Sequence, residues 1–236
     1  METLASAYSS AGKFVEAQQL DEQAFEISRR TQGKEDRTTL SAMTSLAFDY
    51  WSLGNFDSAL ALCHEALEIQ KRVLGPQDPD TLTTLSTLAL IYQRQKKYDL
   101  AQTYASQALE GQRHVLGQRL PTTLNAEADL GLAYESLGKF TQSEPLAHEA
   151  LTIDREVQPR DWQGYRAESL LGASLAGQKK FAEAEPLLLE GYQGMLTRIH
   201  QMAVPDRYHL DLARKWIIQL YQDWGKPEKA GEWKRK

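Results

Sequence analysis

The sequence predicts an all-α fold: a solenoid of five to six stacked helix pairs, closed by a C-terminal capping helix. Three observations carry that reading. First, one pattern recurs about every 42 residues, so that Tyr8, Phe14 and Ala17 return as Tyr50, Phe56 and Ala59, as Tyr92, Tyr98 and Ala101, and as Tyr134, Phe140 and Ser143. A fifth copy slides by one residue to Leu175, Phe181 and Ala184, and a looser sixth reads Tyr221, Pro227 and Ala230. Second, apolar residues inside each period keep the spacing of two amphipathic helices. Third, Gly and Pro punctuate the joins. A fixed period of this size marks units that bury their apolar faces only by stacking on their neighbours.

The elements follow in order. The first pair turns at Phe14, and Ala17 and Ala24 let its second helix approach the first. In the second pair Thr39-Leu40 opens helix A, which runs through Leu46, Ala47 and Tyr50 until Gly54-Asn55 ends it. Helix B runs from Phe56 through Ala59, Leu62, Ala66, Leu67 and Ile69 to Val73-Leu74. Gly75-Pro76-Gln77-Asp78-Pro79 turns to the third pair, with Asp80 or Thr81 as the expected N-cap. Val115-Leu116-Gly117 to Pro121-Thr122-Thr123-Leu124 repeats that punctuation. Small residues at Ala59, Ala101, Ser143 and Ala184 sit where a larger side chain would overpack by about 1–3 kcal/mol. Pro145 and Pro186 fall near the start of their helices and are expected to tilt or kink the first turn. Beyond Gln158 the register loosens, with Pro159-Arg160-Asp161-Trp162 replacing the Gly-Pro turn. Trp216, Ile217, Leu220, Tyr221 and Trp224 then form an apolar face fit to close the stack. Lys226-Pro227 interrupts it before a short basic helix. The repeats are expected at about 1–37, 38–79, 80–121, 122–160 and 161–204, with 205–236 as the cap of one array over 1–236.

Composition narrows the function classes. The 236 residues carry a formal net charge of −5, which argues against non-specific nucleic-acid or anionic-membrane binding. From Pro205 on, eight Lys/Arg face five Asp/Glu, an asymmetry too small to name a partner. Cys63 is the only cysteine, so neither an internal disulfide nor a cysteine-rich metal site can form. No apolar run approaches the ~20 residues of a membrane span. Met1 to Ala5 lacks a secretory signal pattern and enters a repeat already in progress. The sequence is therefore expected to be a segment of a larger, cytoplasmic protein.

Leu46-Ala47-x-x-Tyr50-x-x-x-Gly54-x-Phe56-x-x-Ala59 resembles the tetratricopeptide repeat. With Leu74 to Leu82 as the inter-repeat segment, the chain resembles the long-repeat subclass typified by kinesin light chain. That likeness covers nearly the whole chain and implies a right-handed α-solenoid that recognises a peptide or protein in the groove lined by its A helices. Kinesin light chains place paired Asn before the Leu-Ala of helix A. Thr44-Ser45, Ser86-Thr87, Ala128-Asp129 and Ser169-Leu170 stand here instead, so the amide ladder is missing. Ala167 to Gly172, Ala182 to Leu188, Leu220 to Ala230 and Trp233 resemble the repeat segments that end many bacterial serine/threonine protein kinases. No kinase catalytic motif is present.

Candidate site residues follow from helix geometry. If Ala47, Ala89, Gly131 and Gly172 pack against helix B, the 100° step of a helix turns a defined set toward the inner face. That set includes Phe48 and Trp51, Leu90, Gln93 and Arg94, Asn125 and Glu135, and Arg166. Trp51 is the sharpest of them, because Ser9, Gln93 and Glu135 hold its position in other repeats. An exposed Trp51 beside Phe48 would anchor a partner worth about 2 kcal/mol or more, against the plainer reading of a ring packed over a neighbouring helix. Arg94, Asn125, Glu135 and Arg166 would set polar contacts around it as a set, although a solvated or internally paired face is the better account of any one of them alone.

Histidine and carboxylate spacing points away from catalysis. His64 and His148 lie two units apart, His200 and His209 flank Pro205, and no acidic or cysteine pair completes a metal site. There is no phosphate loop, nucleophile elbow or Ser/His/Asp order. The reading is a non-enzymatic protein-interaction scaffold with no cofactor or metal. The alternative is a spacer or self-association arm of a larger signalling protein, such as a bacterial serine/threonine kinase, that uses the aromatic segment from Trp216 to Trp233.

Overall fold

The structure is a computed structural model, and it describes residues 2–157 and 161–235. These residues form twelve α-helices, one 3₁₀ turn and no strand. The helices are α1 Glu2–Ser10, α2 Phe14–Thr31, α3 Arg37–Ser52, α4 Phe56–Val73, α5 Pro79–Arg94 and α6 Tyr98–Val115. They continue as α7 Pro121–Ser136, α8 Phe140–Val157, α9 Trp162–Gly177, α10 Phe181–Thr197, α11 Tyr208–Asp223 and α12 Pro227–Arg235, with the 3₁₀ turn Val204–Arg207 before α11. Odd-numbered helices are the A helices and even-numbered ones the B helices.

Two compact units form, Met1–Val115 and Leu116–Lys236. In the first, each helix packs on the next from α1 to α6, and α3 also meets α5. In the second, α7 to α10 pack in the same succession, α10 receives α11, α11 receives α12, and α9 touches both α7 and α11. This is the helix-pair stacking that the period predicts.

The small residues sit where the sequence requires close approach. Ala17, Ala59, Ser143 and Ala184 are wholly buried, and Ala101 nearly so. Ser143 also uses its hydroxyl, donating to Gly131 O at 2.8 Å and receiving from Ser174 Oγ at 2.8 Å. Gly54, with φ +80°, ends α3, and the Gly54 and Asn55 amides return to Trp51 O and Tyr50 O. Glycine, which has no β-carbon, takes that left-handed conformation without steric cost.

Helix starts differ from expectation by two or three residues. Asp36 caps α3, its carboxylate accepting from Thr38 N at 2.8 Å, and Asp78 caps α5 by accepting from Asp80 N at 2.9 Å. Pro79 explains the earlier start of α5: it occupies the first helical position, where a missing N–H costs nothing. Thr81 has another task, since its hydroxyl donates to Gly75 O at 2.9 Å and ties the turn. Thr123 repeats that bond to Gly117 O at 2.8 Å. α8 and α10 run on through Pro145 and Pro186, each in its helix's second turn. Of the loosened turn, residues 158–160 lie outside the described residues; Asp161 caps α9 by accepting from Trp162 N at 2.6 Å.

The C-terminal aromatic segment closes the second unit. Ile217, Leu220, Tyr221 and Trp233 are buried in the α7–α12 core. Trp224 stacks on Phe181 at 5.8 Å, and Trp233 meets Tyr192 edge-on at 5.0 Å. The face expected to seek a second copy is thus largely covered by the chain itself.

Candidate functional site

The A-helix face divides by unit, because the two units carry different neighbours on it. In the first unit α3 and α5 run side by side, joined by Thr44 Oγ1 and Thr84 Oγ1 at 3.2 Å. One turn beyond Thr44, Phe48 is half-buried; on α5, Leu90, Gln93 and Arg94 are half-buried as well. An apolar pair with polar groups close by in sequence is thereby left partly open.

Trp51 corrects the exposed-anchor expectation. Its ring is only 4% exposed and lies tilted against Phe48 with centroids 5.1 Å apart. Its indole N–H is buried and meets no acceptor among the described residues. A helical angle shows where a side chain leaves the axis but not what a neighbouring helix brings over it. Trp51 therefore packs against Phe48 as a buried side chain.

In the second unit the predicted polar residues bond within the fold. Arg166, only 9% exposed, donates through Nη1 to Asp129 Oδ1 at 3.0 Å and through Nη2 to Asn125 O at 3.3 Å and Asn125 Oδ1 at 3.4 Å. Burial pushes the Asp129 carboxyl up despite the pull of that guanidinium. Glu135 accepts a hydrogen bond from Trp216 of α11, and burial carries its carboxyl up to about 7 against the lowering effect of Trp216 and Ser136. Trp216 and His209 of α11 share a small enclosed space with Ala128, Leu132, Arg166 and Leu170. The expected polar rim is thus an internal network under α11.

A feature that helix-face reasoning missed lies among α8, α9 and α10. Asp154, Asp161, Glu168 and Glu190 line a cavity of about 280 Å³ there. Burial and the Asp161 charge push Asp154 up to about 6, with Arg166 pulling the other way. Glu168 is also pushed up by burial, while Arg155 draws it down through a 2.6 Å bond. The signal was present in the repeat itself: a polar residue recurs at Ser28, Gln70, Gln112 and Asp154, and only the last is acidic.

Among the described residues no group of three His, Cys, Asp or Glu side chains is arranged to hold a metal ion, and no helix is long and apolar enough to cross a membrane. Cys63 is buried, which pushes its thiol up to about 12.

Comparison with known proteins agrees with this architecture. A family model described as tetratricopeptide repeat matches residues 1–60, 38–114 and 82–156. A protein assigned as a kinesin light chain from Podosopora anserina, with nearly identical TPR-like repeats, superposes with a TM-score of 0.68. It shares 23% identity and covers 84% of this chain and 94% of its own. BtubC (BKLC) from P. vanneervenii gives a TM-score of 0.68 at 19% identity, over 93% of this chain and 87% of that one. A Rap protein complexed with competence and sporulation factor gives 0.70 at 15% identity, over 99% of this chain and 72% of that one. These likenesses bear on the fold. No curated protein matches the sequence.

Proposed function

The chain belongs to the tetratricopeptide repeat family, and from that premise we propose that it is a non-enzymatic protein-interaction scaffold whose first unit takes a peptide segment along α3 and α5. The observation that carries the reading is the α3–α5 face. There Thr44 and Thr84 hold the helices together while Phe48, Leu90, Gln93 and Arg94 remain partly open. Phe48 and Leu90 would seat an apolar side chain, Trp51 would hold Phe48 in place, and Arg94 would contact a carboxylate or main-chain carbonyl. The helix-pair fold of the Rap protein, seen with a bound factor, supports recognition of a partner by an array of this kind.

The second unit has a different part in this reading. Asn125, Glu135 and Arg166 bond within the fold under α11 and leave recognition to the first unit. The spacer or self-association alternative draws no support from the C-terminal aromatics, which pack inside their own unit.

Selection of peptides from a random display library, followed by affinity measurement on variants, tests the proposal. Leu90→Ala and Arg94→Ala, each folded, are expected to weaken a selected peptide by about tenfold, in keeping with one interface anchor at ~1–2 kcal/mol. Unchanged affinity in both variants would contradict the assigned face.

A further inference from the structure

Two departures from the repeat, and a glutamate shared with the preceding repeat, meet at the cavity among α8, α9 and α10. The first is Asp154. At its position in earlier B helices, Gln70 Nε2 donates to Thr44 Oγ1 at 3.5 Å and Gln112 Nε2 donates to Ser86 Oγ at 3.2 Å. In the same register the partner of Asp154 is Ala128, which has no polar group. Asp154 is 5% exposed and has no hydrogen bond or ion pair among the described residues; Asp161 and Arg166 act on it only through their charge.

The second is Gly164. In the slipped fifth repeat it replaces the threonine that ties the turn at Thr81 and Thr123. A β-carbon at Gly164 would fall inside contact distance of Asp154 Oδ2. Glycine therefore surrenders the turn bond and makes room for the carboxylate. The third residue is Glu168, at a position held by Met43 and Leu85 in two earlier repeats and already by a glutamate, Glu127, in the fourth. It is 2% exposed, and Arg155, reaching in from solvent, meets it with Nη2 at 2.6 Å.

A buried carboxylate without a hydrogen-bonding partner is costly, and an enclosed cation removes that cost. The cavity of about 280 Å³ far exceeds the ~10–15 Å³ that admits one water. Among the described residues four carboxylates line it, from Asp154, Asp161, Glu168 and Glu190, together with the guanidinium of Arg155, while Leu151 and Tyr165 supply apolar wall. Carboxylates at the head and apolar wall along the stem suit an amphipathic cation. We propose that this cavity binds an alkylammonium group, carried by a lysine side chain of a partner polypeptide or by a free aliphatic diamine. The site lies wholly within the second unit and does not rest on the α3–α5 peptide face.

Calorimetric titration of the full chain at pH 7.5 and low salt tests it with three probes: 1,5-diaminopentane, a capped Gly-Lys-Gly peptide and its norleucine counterpart. One-site binding of a cationic probe is expected, with the norleucine peptide inert. Tighter binding of the diamine would identify a free amine as the ligand, and tighter binding of the lysine peptide would identify a partner side chain. Asp154→Asn should weaken binding at least tenfold, and Glu190→Gln, at an exposed position that folding tolerates, about threefold to fivefold. Arg155→Ala should strengthen it severalfold by removing the resident cation. Absence of saturable binding by either cationic probe would overturn the proposal. So would equal binding of the norleucine peptide, or affinity unchanged by both Glu190→Gln and a folded Asp154→Asn.

Discussion

Arg166 of α9 donates to the Asp129 carboxylate of α7 at 3.0 Å, with only about a tenth of either side chain exposed. This pair joins two A helices of the second unit, and Asn125 completes it through its carbonyl groups. Removing the cation leaves a buried charge without its partner, which is costlier than never having made the pair. Arg166→Ala is expected to destabilise by about 3 kcal/mol in urea denaturation at pH 7. The double variant Arg166→Met/Asp129→Leu should recover most of that loss. A single variant as stable as the parent would show that the pair contributes nothing.

Trp51 is predicted to act through packing. Truncating a buried Trp typically costs 3–5 kcal/mol, so Trp51→Ala should lower stability by roughly that amount. Trp51→Phe keeps most of the ring contact with Phe48 and deletes an N–H that has no acceptor, so its cost should be about 1 kcal/mol. Thermal melts of both variants check this, and equal losses would mean that the indole N–H has a partner in solution.

Stability should fall as pH rises from about 5 to about 7. Glu135 moves from 4.5 to about 7 and Asp154 from 3.8 to about 6, both through burial. A carboxyl with a raised native pKa binds its proton more tightly when folded. Its stabilisation is complete below the unfolded value and is lost as pH climbs through the native one. Glu144 and Glu185 oppose this in acid: Gln178 and Lys229 respectively lower them, so their contribution disappears as pH falls below about 4.5. Maximum stability near pH 5 follows. Glu135→Gln should gain on the order of 2 kcal/mol at pH 8, discounted for partial exposure, and nothing at pH 4. Identical pH profiles for variant and parent would refute this assignment.

Two glycine substitutions should have opposite signs. A β-carbon at Gly191 would lie 2.7 Å from the backbone N of Ser169 and 2.7 Å from Tyr165 O, so Gly191→Ala must push α10 from α9. At Gly231 in α12 nothing comes nearer than Arg235 Nη1 at 3.7 Å, and alanine there should add up to ~1 kcal/mol of helix stability. Chemical denaturation of the pair reads both directions at once.

Much of the fold is legible because it repeats. Each copy of Ala59 or Ala101 meets the same close approach, and each Gly54-type turn takes the same left-handed conformation, with glycine at Gly54 and Gly138 and lysine at Lys96 and Lys179. Helix starts fall two or three residues ahead of the apolar pattern, at Asp36-Arg37 and at Asp78-Pro79, because a capping aspartate opens each first turn. The site was less legible, for reasons that lie between helices. A helical projection treats α3 alone and cannot show that Trp51 is covered while Phe48 is not. Nor can it show α11 bringing Trp216 to Glu135, a contact between residues far apart in sequence and outside the regular period. Asp154, by contrast, was readable in principle: its repeat partner changes from Thr44 and Ser86 to Ala128, so the break in the pair is written at two positions 26 residues apart.

Hydrogen exchange on the full chain with and without a display-selected peptide tests the central claim most directly. Protection is expected in α3 and α5, around residues 48–52 and 86–94, with the α8–α10 cavity unchanged by a peptide that lacks lysine. Protection elsewhere, with α3 and α5 exchanging as in the free protein, would contradict it.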